Sequence, residues 1–541
     1  MVAKQKSTAK PKQSRKAARP ARDSSAATRK AAKSVRGKAP RRSNRIPGPP
    51  IAPPTDSVGV GPASVTGVIL AWEDDPDASP LRPPLQLPVP SLPIGALGIS
   101  IVDAAPPAES HPQGTSKFRY WSAAEALTRG MQFWQRFLPA GTKWATPTSK
   151  LVVYLDMGTD LNAYYRRGAS RLEFYHSTVG GKTVYTGESP SVVCHELGHA
   201  VLDAIRPQLF NAASVEAAAF HESFGDMSAI LCALQLNSVA QAILLETGGR
   251  LYRSTFLSRM AEQLGWAIRQ INAQAVDPDC LRNAVNSFFY RDPATVPTTA
   301  PASSLSSAPH SFSRIFTAAF FDSFAGMLVT DNPAPTVSSL QKVTRDMGRL
   351  LIDAIRNAPV VPNYFSQVAA QMIAADEARF ARKYRDILKG AFVRHGILSL
   401  EAATGIVGRP MPVSSAVGVA GITGGAAATA TTELAPVSIQ ATNFGLSIPT
   451  ILCAAPDEGG GYAGAAPAAM DTGSISPPSH SDAVRSFLED LFRLGRVDIA
   501  NHGDPDGQIA NPTVRKTHTL KSTAAGPMLV RETFDCGFDG L

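Results

Sequence analysis

The chain has 541 residues, 44% of them hydrophobic, which is enough apolar mass for a sizeable core over two or three domains and excludes a wholly disordered protein. Its net charge of +9 is uneven: residues 1–46 hold sixteen Lys/Arg and one acid, Asp23, so the rest of the chain is net acidic. The five cysteines (Cys194, Cys232, Cys280, Cys453 and Cys536) are far apart and never in CxxC spacing, which argues against both a disulfide framework and a cysteine zinc site.

Residues 1–60 are Lys/Arg, Ala, Ser and Pro with few large apolar side chains, the composition of a disordered basic tail. Residues 1–46 could bind nucleic acid or an anionic surface by counterion release, or serve solubility alone. No apolar run follows the basic start, so no secretory signal is expected, and the chain reads as cytoplasmic or non-classically exported. No uninterrupted apolar span of about 18 residues follows, so no transmembrane segment is expected.

Residues 61–117 read as a Pro-rich extended arm with short strands in "VTGVILAW" and "LGISIV". Globular structure is expected from Phe118, in a sheet-containing lobe over 118–210. "YWSAAEALTRGMQFWQRFLP" has apolar residues every three to four positions and predicts a helix; "KLVVYLDMG" and "LNAYYRRGASRLEFYH" predict strands. A mostly helical lobe follows over 211–404, with helices expected near 214–236, 257–273, 312–328, 338–357, 363–375 and 378–395. Residues 405–480 read as a Gly/Ala/Pro-rich linker with scattered strands, and 481–541 as a small C-terminal segment with one amphipathic helix N-capped by Ser481.

The chemistry centres on "SVVCHELGHAVLDAI", Ser191 to Ile205. In a helix His195 and His199 lie on one face and can direct both imidazoles to one metal ion, while Glu196 can reach a water on that ion. A catalytic zinc normally takes three protein ligands and leaves one position for water, and "AVLDAIRP" offers no third histidine. The segment "SVEAAAFHESFGDMSAIL" offers Glu216, His221 and Glu222. Glu222 is preferred, because Asp226 one turn later can accept the second ring N–H of a ligand histidine and fix its orientation; Glu216 and His221 remain open. Two acids in so apolar a segment need a cation or strong partners. One zinc per chain is expected.

With these residues in place, the chain resembles the thermolysin-like family of gluzincin metallopeptidases, whose HExxH is followed some twenty residues later by a helix carrying E-x-x-x-D. "LNAYY" looks like the family's Asn-Ala edge strand, which implies that Asn162 and Ala163 bind substrate backbone by strand addition. "HSFSRIFTAAFF" is similar to a helix start whose histidine, here His310, stabilises the oxyanion. "CLRNAVNSF" places Arg282 where the family has an arginine for a substrate carbonyl. "YFSQVAAQMIAADEARFARKYRDILKGAFVRHGIL" looks like its closing helices. The resemblance covers residues 118–400 and implies an α+β, two-lobed zincin fold: an N-terminal lobe with a β-sheet and the HExxH helix, and a mostly helical C-terminal lobe.

The chain departs from the family at several places. Leu305 stands where an aspartate usually precedes the histidine, and Phe210 where a tyrosine donor is usual. Ser191 and Ala233 stand at two calcium-binding places, so no calcium is expected. The expected function is a zinc endopeptidase acting on peptide or protein substrates, with Glu196 as general base and His310 and Arg282 as catalytic donors. The alternative is a catalytically idle zinc scaffold docked through the basic tail.

Overall fold

The computed structural model describes residues 67–78, 82–406, 433–458, 465–467, 479–499, 502 and 514–537. The expected disordered tail, and most of the expected linker, lie outside the described residues. The described chain is mixed α+β, with twelve α-helices and several small sheets.

The arm is more tightly packed than its proline content suggests. β1 (Val68–Ala71) and β2 (Leu85–Pro88) pair antiparallel, and Ile69, Ala71 and Ile94 are fully buried in the same core as the helices beyond. Core structure therefore begins well before Phe118, because alternate apolar residues of a short strand suffice to seat it. β3 (Ile99–Ile101) joins the main sheet. α1 (Ser116–Trp134) follows, its first turn capped by the Thr115 hydroxyl accepting from the Phe118 N–H.

The main sheet also holds β4 (Leu151–Tyr154), β5 (Ala163–Arg166) and β6 (Arg171–Phe174). A separate hairpin, β7 (His176–Val179) with β8 (Lys182–Tyr185), leads to α2 (Pro190–Ile205). Ser189 caps α2 by accepting from the Val192 N–H, and Pro190 opens the first turn, where its missing N–H costs nothing.

Then come α3 (Gln208–Asn211), α4 (Val215–Ala233), α5 (Asn237–Thr247), the short pair β9 (Arg259–Met260) and β10 (Arg282–Asn283), and α6 (Glu262–Ile271) between them. α7 (Pro309–Asp331), α8 (Val337–Asn357), α9 (Tyr364–Phe380), α10 (Arg385–Arg394) and α11 (Leu400–Gly405) complete the helical part. α5 was not foreseen: its apolar face is short, and Leu236 leads into it without a side-chain cap. α7 is long and apolar enough to cross a membrane, but 89% of its apolar window is buried inside the protein, as in a core helix.

The C-terminal part builds a second sheet. β11 (Pro436–Gln440), β12 (Thr450–Ala454), β13 (Val497–Asp498), β14 (His518–Thr523) and β15 (Gly526–Arg531) lie in the order β11-β12-β15-β14-β13. α12 (His480–Arg493) is the expected amphipathic helix, but its N-cap is Ser479; Ser481 lies inside the first turn.

The last strand, β16 (Phe534–Asp535), leaves this sheet and pairs antiparallel with β5. The main sheet thus has the order β16-β5-β6-β4-β3.

Candidate metal centre

Two glycines set the spacing of the helices that carry the candidate ligands. A Cβ on Gly198 of α2 would stand 3.0 Å from the Gly225 Cα and 2.8 Å from the Ser228 Cβ on α4; one on Gly225 would stand 2.5 Å from the His195 Cε1. Without side chains at these points the helices approach closely enough for α4 to face both histidines of α2. The far end of α2 is anchored to β5, where the Tyr165 hydroxyl donates to Asp203 at 2.6 Å and the Arg167 Nε at 2.8 Å.

His195, Glu196, His199 and Glu222 are all buried. The ligand atoms of the first three lie within 4.8 Å of one another, a group able to hold a metal ion. Glu222 reaches in from α4: its Oε2 is 3.4 Å from the His195 Nε2, and its Oε1 is 3.7 Å from the His199 Nε2. Glu222 is therefore close enough to both imidazoles to share a bound ion with them. Apart from Glu222, both Nε2 atoms are buried without a partner, an arrangement that is costly unless a cation completes it. Of the two carboxylates, Glu222 reaches both imidazoles, while Glu196, whose ligand atom belongs to the same group as those of the histidines, is buried beside Cys536.

Partners behind the imidazoles fix their orientation. The His195 Nδ1 lies 3.0 Å from Asp226, and the His199 Nδ1 lies 3.4 Å from the His221 Nδ1. Burial holds His199 down to about 3, in the neutral form a ligand needs. Burial also acts on His195, but the hydrogen bonds to Asp226 and Glu222 outweigh it and raise the imidazole to about 9. Burial pushes Glu196 up to about 8. For Glu222 burial is outweighed by His310, His199 and His195, which hold it well below the carboxylate range.

His310, on the first turn of α7, places its Nε2 3.2 Å from the Glu222 Oε2. Arg282, on β10, binds Asp226 at two points, 2.8 and 3.1 Å. These contacts bring together His195, Glu196, His199, Glu222, Asp226, His310 and Arg282, while Ala163 opens β5 and Asn162 directly precedes it. Of the ligand candidates left open, Glu216 turns away: it accepts from the Tyr290 hydroxyl at 2.5 Å and the Phe365 N–H at 2.7 Å. His221 stands behind His199 as its hydrogen-bond partner.

The sequence reading missed the C-terminal residues that reach this site. The Asp535 carbonyl lies 2.6 Å from the His310 Nε2, and the Cys536 carbonyl accepts from Arg282 at 3.3 Å. Phe534 stacks on His221 and His199, with centroids 4.0 and 4.9 Å apart. The apolar triplet "MLV", Met528 to Val530, and Phe534 could have suggested short strands, but nothing local says which sheet they join. No protein-family model matches the chain, and no curated protein matches it.

Proposed function

We propose that the chain is a zinc-dependent endopeptidase, a divergent thermolysin-like enzyme in which the sheet with α2 forms one lobe and α4 to α11 the other. The observation that carries this reading is the position of Glu222, within 3.4 and 3.7 Å of two buried imidazole nitrogens that nothing else satisfies. Bound zinc would supply a Lewis acid for a peptide carbonyl and lower the pKa of its water toward about 7.

The chain's own groups do the rest. Glu196 takes the water's proton and passes it to the leaving amine. His310 donates to the oxygen of the reacting carbonyl, and Arg282 to the carbonyl of the following residue. Asn162 and Ala163 align the peptide as an added strand. Asp226 and His221 hold His195 and His199 in orientation from behind.

Metal content and peptide cleavage of the purified chain, with and without a chelator, test the proposal together with Glu196→Gln. The native chain should hold about one zinc and cleave peptides in a chelator-sensitive way. Glu196→Gln should keep the metal and lose on the order of 10²–10⁴-fold in rate. A variant as active as the native chain would refute the assignment of the base, and zinc without cleavage of any peptide would favour an idle scaffold.

A further inference from the structure

We infer that the chain's own C-terminal segment is a substrate of this cleft: Phe534–Gly537 lies in it as a bound peptide strand, with the Asp535–Cys536 bond at the reacting position. The inference rests on the peptidase reading for its chemistry. The docking itself stands on the geometry alone.

Beyond its pairing with β5, the segment's backbone meets the four groups to which the proposed function gives a substrate role: Asn162, Ala163, His310 and Arg282. β16 pairs antiparallel with β5 in the register Phe534 opposite Tyr165 and Asp535 opposite Tyr164. The Cys536 N–H donates to the Ala163 carbonyl at 3.3 Å and the Gly537 N–H to the Asn162 Oδ1 at 2.7 Å. The Asp535 carbonyl meets the His310 Nε2 at 2.6 Å, and that nitrogen is itself 3.2 Å from Glu222. Hence this carbonyl stands at the rim of the ligand set. The next carbonyl, that of Cys536, accepts from Arg282 at 3.3 Å.

Side chains agree with the backbone. Cys536 helps line a small cavity with Val192, His195, Met260 and Leu281. Gly537 is needed for the fit, because a Cβ there would stand 2.2 Å from the Leu161 carbonyl. A strand serving only to cover the edge of β5 would need the sheet hydrogen bonds. It would not need one carbonyl on His310 and the next on Arg282.

Hydrolysis at this place adds water across one amide. The hydroxyl joins the Asp535 carbonyl carbon, the bond to the Cys536 nitrogen breaks, and that nitrogen takes the proton. The products are a chain ending in the Asp535 carboxylate and a free peptide Cys536–Leu541. Until it leaves, the segment keeps other peptides out of the cleft.

Thiol labelling of the full-length chain, freed of metal by a chelator, tests the docking without any turnover. All five cysteines are buried, so Cys536, located by peptide mass mapping, should react with a maleimide on the order of 100-fold more slowly than in denaturant. Gly537→Val should expose Cys536 while Cys194, Cys232, Cys280 and Cys453 stay protected, which also shows that the variant is folded. A native Cys536 that labels at the unfolded rate overturns the docking, with no variant needed. In the zinc-loaded native chain, intact mass should show the loss of Cys536–Leu541, and Glu196→Gln should remain whole. A zinc-loaded chain that cuts other peptides yet keeps its full mass overturns the substrate role and leaves the peptidase standing. If Cys536 is protected in the native chain and the zinc-loaded Gly537→Val variant, its segment displaced, still cuts no peptide, the peptidase reading and the cleavage step with it are overturned.

Discussion

Asp226 and Arg282 form a two-point ion pair directly behind His195: the arginine's Nη2 and Nε reach the two carboxylate oxygens at 2.8 and 3.1 Å, and the oxygen nearer Nη2 is also 3.0 Å from the His195 Nδ1. All three side chains are buried, and the cations hold Asp226 down to about 2 against its burial. The carboxylate therefore stays charged at any working pH and, by holding the His195 Nδ1, turns its Nε2 toward Glu222.

Asp226→Asn should lower metal affinity by about 10–100-fold, because the acceptor that orients the ligand is weakened. It should also destabilise the metal-free protein by roughly 3–5 kcal/mol, since the buried Arg282 loses its charge partner. Chelator competition and thermal melting of the chelated chain would measure the two effects separately. Unchanged affinity would mean that Asp226 serves only Arg282.

Gly225→Ala probes the helix spacing rather than the charges. The added methyl would stand 2.5 Å from the His195 Cε1 and 2.6 Å from its Nδ1, well inside van der Waals contact, so the imidazole or α4 must shift. Overpacking of this kind costs about 1–3 kcal/mol. Zinc content per chain should fall well below that of the native protein even where the fold persists. A fully loaded variant would show that the glycine is not needed to seat the ligand.

Much of this centre was legible because its signals are local. His195 and His199 are one helical turn apart, and Glu222 and Asp226 likewise, so periodicity alone puts each pair on one face. The burial of the acidic pair followed from its Ala-, Phe- and Met-rich neighbours. What stayed hidden depends on contacts far apart in sequence: Tyr165 with Asp203, Tyr290 with Glu216, and β16 with β5 across more than 360 residues. A short strand's composition fixes its tendency to pair and leaves its partner open. The arm was underestimated for a related reason, since β1 hides its apolar residues through alternate positions of a four-residue strand.

Glu216 gives a pH test remote from the metal centre. Burial raises its carboxyl from 4.5 to about 8 despite the Tyr290 and Phe365 hydrogen bonds. The folded protein thus binds this proton more tightly than the unfolded chain does, and the resulting stability is full below about pH 4.5 and lost as pH rises through about 8. Glu216→Gln removes the charge; its single oxygen can accept from the Phe365 N–H while its amide NH2 donates to the Tyr290 hydroxyl oxygen, the reversal that a protonated carboxyl also makes. The variant should match the native protein at pH 5 within about 1 kcal/mol and exceed it by a few kcal/mol at pH 9, by denaturant unfolding of the chelated chain. It should keep its zinc, whereas loss of zinc would return Glu216 to the ligand set.

His310→Ala separates catalysis from metal binding. The imidazole is 3.2 Å from Glu222 and 2.6 Å from the Asp535 carbonyl, so it can stabilise either the ligand carboxylate or a reacting carbonyl. If the second role dominates, zinc content should hold while kcat on an added peptide falls by on the order of 10²–10³-fold, with KM little changed, because a donor to the developing oxyanion acts mainly in the transition state. If the first dominates, zinc affinity falls and kcat per bound zinc is preserved. The first pattern would keep His310 as a catalytic residue. The second would reassign it to holding Glu222, and the expected loss in kcat would then be wrong.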